Sequence, residues 1–301
     1  MKKTILVAGG TGSLGGKIIR ALLKNGADVR VIVRLSSDAA KIKELQQLGV
    51  EVIQLDMMNV AEVAKACKGV SCVVSALAGL RDVIVDTQKV LLDGAVAAGV
   101  KWFIPSDFSA DFTNIQPEEN RNFALRKEFK TYLDKAPIAA TTIFNGAFAE
   151  LLTGNMPLIL FKQKRILYWG DADQRMDFTT MDNTAEFTAH AALDDTTPRV
   201  LKIAGSEISA RELRAVASEV TGEEFRLFRP GGLGLLEVII KIARLISPAK
   251  DELYPAWQGM QYFHNMLSGR AKLQPLDNKR YPGIRWTSVK DVVKEHVAKS
   301  K

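Results

Sequence analysis

Cysteine and histidine are scarce in this chain, two and three residues out of 301. Cys67 and Cys72 stand either side of a short turn, with Cys72 inside an apolar run, so both are expected as buried, reduced thiols in a reducing compartment rather than as a disulfide framework. His190, His264 and His296 share no metal-ligand spacing with one another or with the cysteines, and no metal site is expected. Long hydrophobic runs are missing too. The N-terminal apolar stretch of about five residues runs into glycine, too short for a signal peptide or a membrane span, so a cytoplasmic location and no membrane partner are expected. No G-x-S-x-G elbow supports a serine hydrolase, and no Lys-Ser/Thr pair closes a triphosphate-binding loop.

What is present is a chain that can bury a large core, with 47% hydrophobic and 25% charged residues. The net charge of +7 would by itself point to nucleic acid. Residues 270–301, however, carry nine Lys or Arg against three acids, so six of the seven net charges sit there. Those charges form neither a compact run nor a helix-turn-helix, and a solvated surface rather than a nucleic-acid site is expected.

Short β-branched runs alternate with segments of helical period: strands at 4–8, 28–33, 50–55, 71–75, 101–104 and 138–144, helices at 12–24, 38–48, 60–67, within 81–98, near 120–135 and at 147–152. Strands this apolar need cover on both faces, which implies a parallel sheet wrapped by helices. After about residue 154 the alternation weakens. A hairpin at 161–169, strands at 176–180 and 199–203, and helices at 183–193, 210–220, 233–246 and 288–298 are expected. The division is a dinucleotide-binding domain over 1–153, completed by 174–204, and a smaller substrate domain over most of 154–301. In the 235–246 helix Glu237, Lys241 and Arg244 share a stripe, leaving a broad apolar face that must be buried, in the core first, then against a substrate pocket or in a dimer, and last by adsorption to a membrane.

Directly after the first strand comes Gly9-Gly10-Thr11-Gly12-Ser13-Leu14-Gly15, in the order strand, glycines, helix that a pyrophosphate site requires. Gly9 would permit a tight turn, Gly12 a close backbone approach to the pyrophosphate, and Gly15 close helix-to-strand packing, with the helix N-terminal amides facing the anion. The expected fold is therefore α/β: a Rossmann-type doubly wound parallel sheet with a smaller α+β C-terminal substrate domain. At the end of the second strand, where an NAD site would place an acid, stands Arg34, with Ser36 and Lys41 nearby. Either these hold a 2′-phosphate, which makes NADP(H) the expected cofactor ahead of NAD(H), or Arg34 is a solvated strand-end residue. Further strand ends face the same cleft: Asp56, Ser75-Ala76-Leu77 and Ser106-Asp107-Phe108. Asp56 could accept from an adenine amino group or cap the next helix.

The segments VAGGTGSLGG, Arg34 at its strand end, WFIPSDFSADF at 102–112, IFNGAF at 143–148 and RYPGIRWTS at 280–288 together resemble the NmrA-like group of atypical short-chain dehydrogenases. That group includes isoflavone and pinoresinol-lariciresinol type reductases and also regulators that bind the dinucleotide without turning it over. The Tyr-x-x-x-Lys of ordinary short-chain dehydrogenases is missing. Reductases of the group use a lysine on the helix after the PSEF-like segment, and matching Phe129 and Leu133 to that helix places Arg126 at the lysine position. Arginine can orient a carbonyl or hold an anion but is a poor proton donor; as a surface residue it would do neither. Asn145 matches the asparagine of the group's SSNFF-like segment and either contacts nicotinamide or substrate or bonds only the strand-end backbone. The resemblance implies an NADPH-binding reductase acting on a small, partly apolar carbonyl or conjugated substrate, with Arg126 and Asn145 as candidate catalytic residues. The alternative is a non-catalytic redox sensor acting through a protein partner. A monomer or homodimer is compatible with either.

Overall fold

The alternation of short apolar runs and 3.6-period segments becomes alternating strands and helices in the computed structural model of the chain, which describes residues 2–154 and 156–299. The first half contains β1 (Thr4–Ala8), α1 (Ser13–Lys24), β2 (Asp28–Arg34), α2 (Ala39–Gln47), β3 (Glu51–Leu55), α3 (Val60–Ala66), β4 (Cys72–Ser75), α4 (Gln88–Ala97), β5 (Trp102–Ile104), α5 (Arg121–Leu133) and β6 (Ala139–Ala140). A single π-helical turn, Asp82–Thr87, leads into α4. These strands form one sheet in the order β3-β2-β1-β4-β5-β6, every pair parallel. Ala8 lies opposite Ile32 on one side and Ser75 on the other, so the order reverses between β1 and β4, where the carboxyl ends of an open α/β sheet leave a crevice. This is a Rossmann-type doubly wound sheet.

Past a break at Thr141 follow β7 (Thr142–Phe144), β8 (Ala147–Phe148), β9 (Ile159–Leu160), β10 (Arg165–Leu167), β11 (Met176–Thr179), α6 (Met181–Leu193), β12 (Val200–Lys202), β13 (Ser206–Ile208), α7 (Ala210–Thr221), β14 (Arg226–Phe228), α8 (Leu233–Ile246), α9 (Ala256–Leu267) and α10 (Val289–Lys299). β12 runs parallel to β7, β11 lies between β8 and β13, and β10 lies between β9 and β14. Phe187 and Ala189 of α6 and Leu201 and Ile203 around β12 share one apolar cluster with β1 and α1, tying this stretch to the main sheet. A second cluster, with Trp169, Phe225, Leu236, Ile240, Phe263 and Val293, forms the core of the C-terminal lobe.

Four details differ from the sequence reading. Residues 147–152 are not a helix: Gly146 has φ +70° and sits against the Asp177 backbone, which sets Ala147–Phe148 in register with Phe178–Thr179 as β8, followed by a 3-10 turn. The hairpin begins earlier than expected, at Ile159, because the turn itself occupies Phe161–Gln163. The broad apolar face of α8 is not buried: Leu236 and Ile240 are packed away, while Leu235, Val238, Ile242, Leu245 and Ile246 are 47–82% exposed, since α9 covers one side only. The helix α9 was not anticipated, because Gln258, Gln261, His264 and Asn265 are buried in it and break the apolar period.

Cys67 and Cys72 are free and buried, with burial pushing the Cys67 thiol up to about 11 and that of Cys72 further. The basic C-terminal segment is neutralised locally: Arg270 pairs with Glu119, Lys272 with Asp177 and Glu207, Arg280 with Asp194, Lys290 with Glu219 and Lys299 with Glu295. Lys301 lies outside the described residues. Among the described residues no helix is long and apolar enough to cross a membrane.

Candidate functional site

The crevice is built from the glycine loop outward. Gly9 has φ +85°, and a Cβ there would lie 2.5 Å from the Ala76 carbonyl oxygen, so the end of β1 touches the backbone leaving β4. A Cβ on Gly15 would fall 2.2 Å from the Gly9 carbonyl oxygen, and the Gly12 N–H donates to that same oxygen at 3.0 Å. The loop therefore closes as a tight ring that only glycine permits at those two positions. Like α4, α8 and α9, α1 has no side-chain cap; it starts at Gly12, directly after the ring, with no side chain covering its free amides. Thr11 is half-buried, Leu14 packs against the central apolar cluster, and Gly12 and Ser13 face solvent at the mouth. Uncapped amides at an exposed helix N-terminus form a ready anion site.

Arg34, Ser36 and Lys41 are exposed together at the carboxyl end of β2, one strand from the loop. Among the described residues the Arg34 and Lys41 side chains have no ion pair or hydrogen bond, and Asp38 is engaged as the cap of α2. Asp56, at the end of β3, is exposed; one carboxylate oxygen accepts from the Met58 N–H at 2.9 Å, while α3 is capped by Asn59 instead.

The ends of β4 and β5 are joined. Ser106 Oγ donates to the Leu77 carbonyl at 2.6 Å, and the Ser106 N–H donates to Gln88 Oε1 at 2.8 Å, with Gln88 Nε2 donating in turn to the Ile84 carbonyl. Ser106 thus ties the 75–77 and 106–108 segments together and is itself held from α4 by Gln88, a role for which a lone glutamine in a sequence gives no signal. Phe108 is packed into the central apolar cluster.

The polar groups beyond these strand ends are more unusual. Asp107 is 1% exposed; its Oδ2 accepts from Thr142 Oγ1 at 2.9 Å, and Thr142 Oγ1 accepts from Arg199 at 2.8 Å. Burial pushes the Asp107 carboxyl up to about 6, opposed chiefly by the positive charge of Arg126 and then by the Thr142 hydrogen bond, Arg199 and Lys130. On α5, Lys127 bonds the Ile115 carbonyl and Lys130 pairs with Asp134. Arg126 donates to the Asn122 carbonyl at 3.2 Å, but its buried Nε has no partner among the described residues. Asn145, at the end of β7, is fully buried with both side-chain polar atoms unpartnered, and its backbone N–H bonds the Ser109 carbonyl at 2.9 Å. Ser75 Oγ and Asp107 Oδ1 are unpartnered as well. Buried polar atoms without partners are costly. Their gathering at the carboxyl ends of β4, β5 and β7 and on the facing α5 marks a place where a ligand can complete the hydrogen bonding.

An open parallel sheet in this order, with a glycine ring and an uncapped helix at its reversal point, defines a Rossmann-class α/β protein with a nucleotide-type crevice. The chain belongs to the NmrA-like family, whose family model matches residues 1–256. It is 30% identical to pinoresinol reductase 2 of Arabidopsis thaliana over 214 residues, covering 66% of this chain and 67% of that protein. It is 25% identical over 314 residues to the bifunctional pinoresinol-lariciresinol reductase of Linum album, covering 97% of this chain and 94% of that one. The structure of AtPrR2 with NADP+ and (+)pinoresinol superposes with a TM-score of 0.83 at 23% identity, covering 98% of this chain and 99% of that chain. An NADPH-dependent quinone oxidoreductase from Escherichia coli, complexed with NADPH, gives 0.76 at 19% identity, covering 97% and 99%. Likeness at these identities bears on the fold.

Proposed function

We propose that this chain is an NADPH-dependent reductase that delivers hydride to a small, partly apolar carbonyl or conjugated substrate of the quinone, enone or phenolic class. The observation that carries this reading is the glycine ring at the sheet reversal together with the unpartnered polar cluster beside it, in a chain of the NmrA-like family. The residues fit the dinucleotide: a loop closed on its own backbone at Gly9 and Gly15, too tightly for any Cβ, that leads into free amides at the start of α1. When bound, NADPH supplies the hydride. The loop Gly9, Thr11, Gly12, Ser13, Leu14 and Gly15 holds the pyrophosphate, and Arg34 with Ser36 and Lys41 holds the 2′-phosphate. Asp56 receives the adenine amino group. Ser75, Ala76 and Leu77 with Ser106, Asp107 and Phe108 wall the nicotinamide pocket. Arg126 and Asn145 orient the substrate oxygen. An arginine keeps its proton throughout the working pH range, so Arg126 contributes charge and direction rather than a proton.

Related proteins bearing the names of pinoresinol reductases support hydride transfer to a small-molecule substrate. Two buried free thiols fit a cytoplasmic setting, as a monomer or homodimer. The test is NADPH oxidation, followed at the nicotinamide absorbance band, across a panel of quinones, aldehydes and enones. Turnover with at least one class is expected. Tight NADPH binding with no turnover anywhere on the panel would replace the reductase with a dinucleotide sensor.

A further inference from the structure

A cavity of about 460 Å³ opens at the C-terminal end of α8, with Arg121 of α5 and Trp257 of α9 in its lining and none of the glycine-loop residues. Its lining carries four cations, Arg121, Lys241, Arg244 and Lys250, and no carboxylate. Lys241, Arg244 and Lys250 are exposed and have no ion pair among the described residues. Elsewhere most basic side chains of the C-terminal lobe are paired, so three free cations around one cavity are a local departure.

The end of a helix would normally repel an anion through its exposed carbonyls. At this end the C-cap carbonyl of Ser247 and carbonyls of the segment beyond the helix are engaged, and the surrounding cations oppose the rest of the terminus. Trp257 Nε1 donates to the Ser247 and Pro248 carbonyls at 3.1 and 3.3 Å, and Arg121 donates to the Glu252 and Leu253 carbonyls at 2.8 and 2.9 Å. The guanidinium groups of Arg121 and Arg244 lie over the Trp257 ring, at 4.8 and 5.4 Å from its centre, which fixes two positive charges in the floor and wall. Leading away from the cavity along α8 runs an apolar stripe, Leu245, Ile242, Val238 and Leu235, 82, 51, 50 and 47% exposed. The spacing places these side chains on one side of the helix, next to Lys241.

We propose that this cavity binds an amphiphilic anion: a phosphate or carboxylate among Lys241, Arg244 and Lys250, with its apolar chain laid along the Leu235–Leu245 side of α8. Charge complementarity selects the head group, and the stripe gives the chain apolar surface that water otherwise covers.

The test is calorimetric titration of the whole protein with dodecyl phosphate below its micelle concentration, with inorganic phosphate and dodecyltrimethylammonium as comparison probes. Saturable binding of dodecyl phosphate is expected, at least tenfold tighter than inorganic phosphate, with the cationic amphiphile not binding. The double substitution Lys241→Glu, Lys250→Glu, both on exposed side chains without a partner among the described residues, should weaken dodecyl phosphate at least tenfold while leaving the circular dichroism spectrum and melting temperature unchanged. Equal binding of the cationic amphiphile, or unchanged affinity in the double variant, overturns the proposal. Because the head group enters a cavity, the occupant is a free molecule; co-sedimentation with phosphatidylglycerol vesicles is therefore not expected, and binding to vesicles in place of free dodecyl phosphate would overturn the proposal.

Discussion

Replacing Asp107 by asparagine tests the electrostatics of the polar cluster without needing a substrate. The carboxyl is pushed from 3.8 up to about 6 by burial, beyond what Arg126, Thr142 and Arg199 recover. The native state therefore binds the proton more tightly than the unfolded chain, and the stability this gives is present at low pH and lost as pH rises through 6. A change from 3.8 to about 6 corresponds to about 3 kcal/mol, most of it lost between pH 4 and 6. Asparagine keeps an oxygen for Thr142 and has no charge to bury, so Asp107→Asn should escape the loss. At pH 7.5 the variant should be more stable than the natural protein by up to about 3 kcal/mol, or ~5 °C in melting temperature for a chain of this size. Near pH 4 the two should converge. Urea unfolding and thermal melts of both proteins from pH 4 to 8 measure the gap. A gap that does not change with pH, or a natural protein more stable than the variant at pH 7.5, would refute the assignment of a strained, buried carboxylate.

Gly15→Ala places a methyl 2.2 Å from the Gly9 carbonyl oxygen, so the ring must open; NADPH affinity by calorimetry should fall at least tenfold, and an unchanged value would separate the ring from cofactor binding. Arg34→Ala should raise the NADPH dissociation constant about ten- to hundredfold, the worth of one charge-assisted hydrogen bond of about 1.5–3 kcal/mol, and leave NADH unaffected. Arg126→Ala should lower turnover about tenfold or more at an unchanged NADPH dissociation constant, because its charge acts on Asp107 in the polar cluster. Loss of NADPH affinity with turnover per bound cofactor preserved would move Arg126 out of the substrate pocket.

The sheet was readable in the sequence because its strands are short, β-branched and covered on both faces; β4, for example, is buried at every position. The glycine ring was readable because strand, glycines and helix are contiguous. The parts that escaped are held by distant partners. Helix α9 buries Gln258 and Asn265, which bond Asn120 across 138 and 145 residues of chain, and a pattern of polar residues gives no local sign that they are inside. Asp107 stood out as a strand-end residue, but its strain arises from burial, which Arg126, Thr142 and Arg199 only partly offset, and both the burial and those partners are assembled only in the folded chain. The period of α8 showed an apolar face correctly, while the side left uncovered depended on where α9 packs.

The most direct measurement is a calorimetric titration of the purified protein with NADPH and, under identical conditions, with NADH. One saturable site, with NADPH about ten- to hundredfold tighter than NADH, is the result that the glycine ring and Arg34 predict. No dinucleotide binding at all, or equal affinity for the two, would contradict the reading of this crevice as an NADPH site.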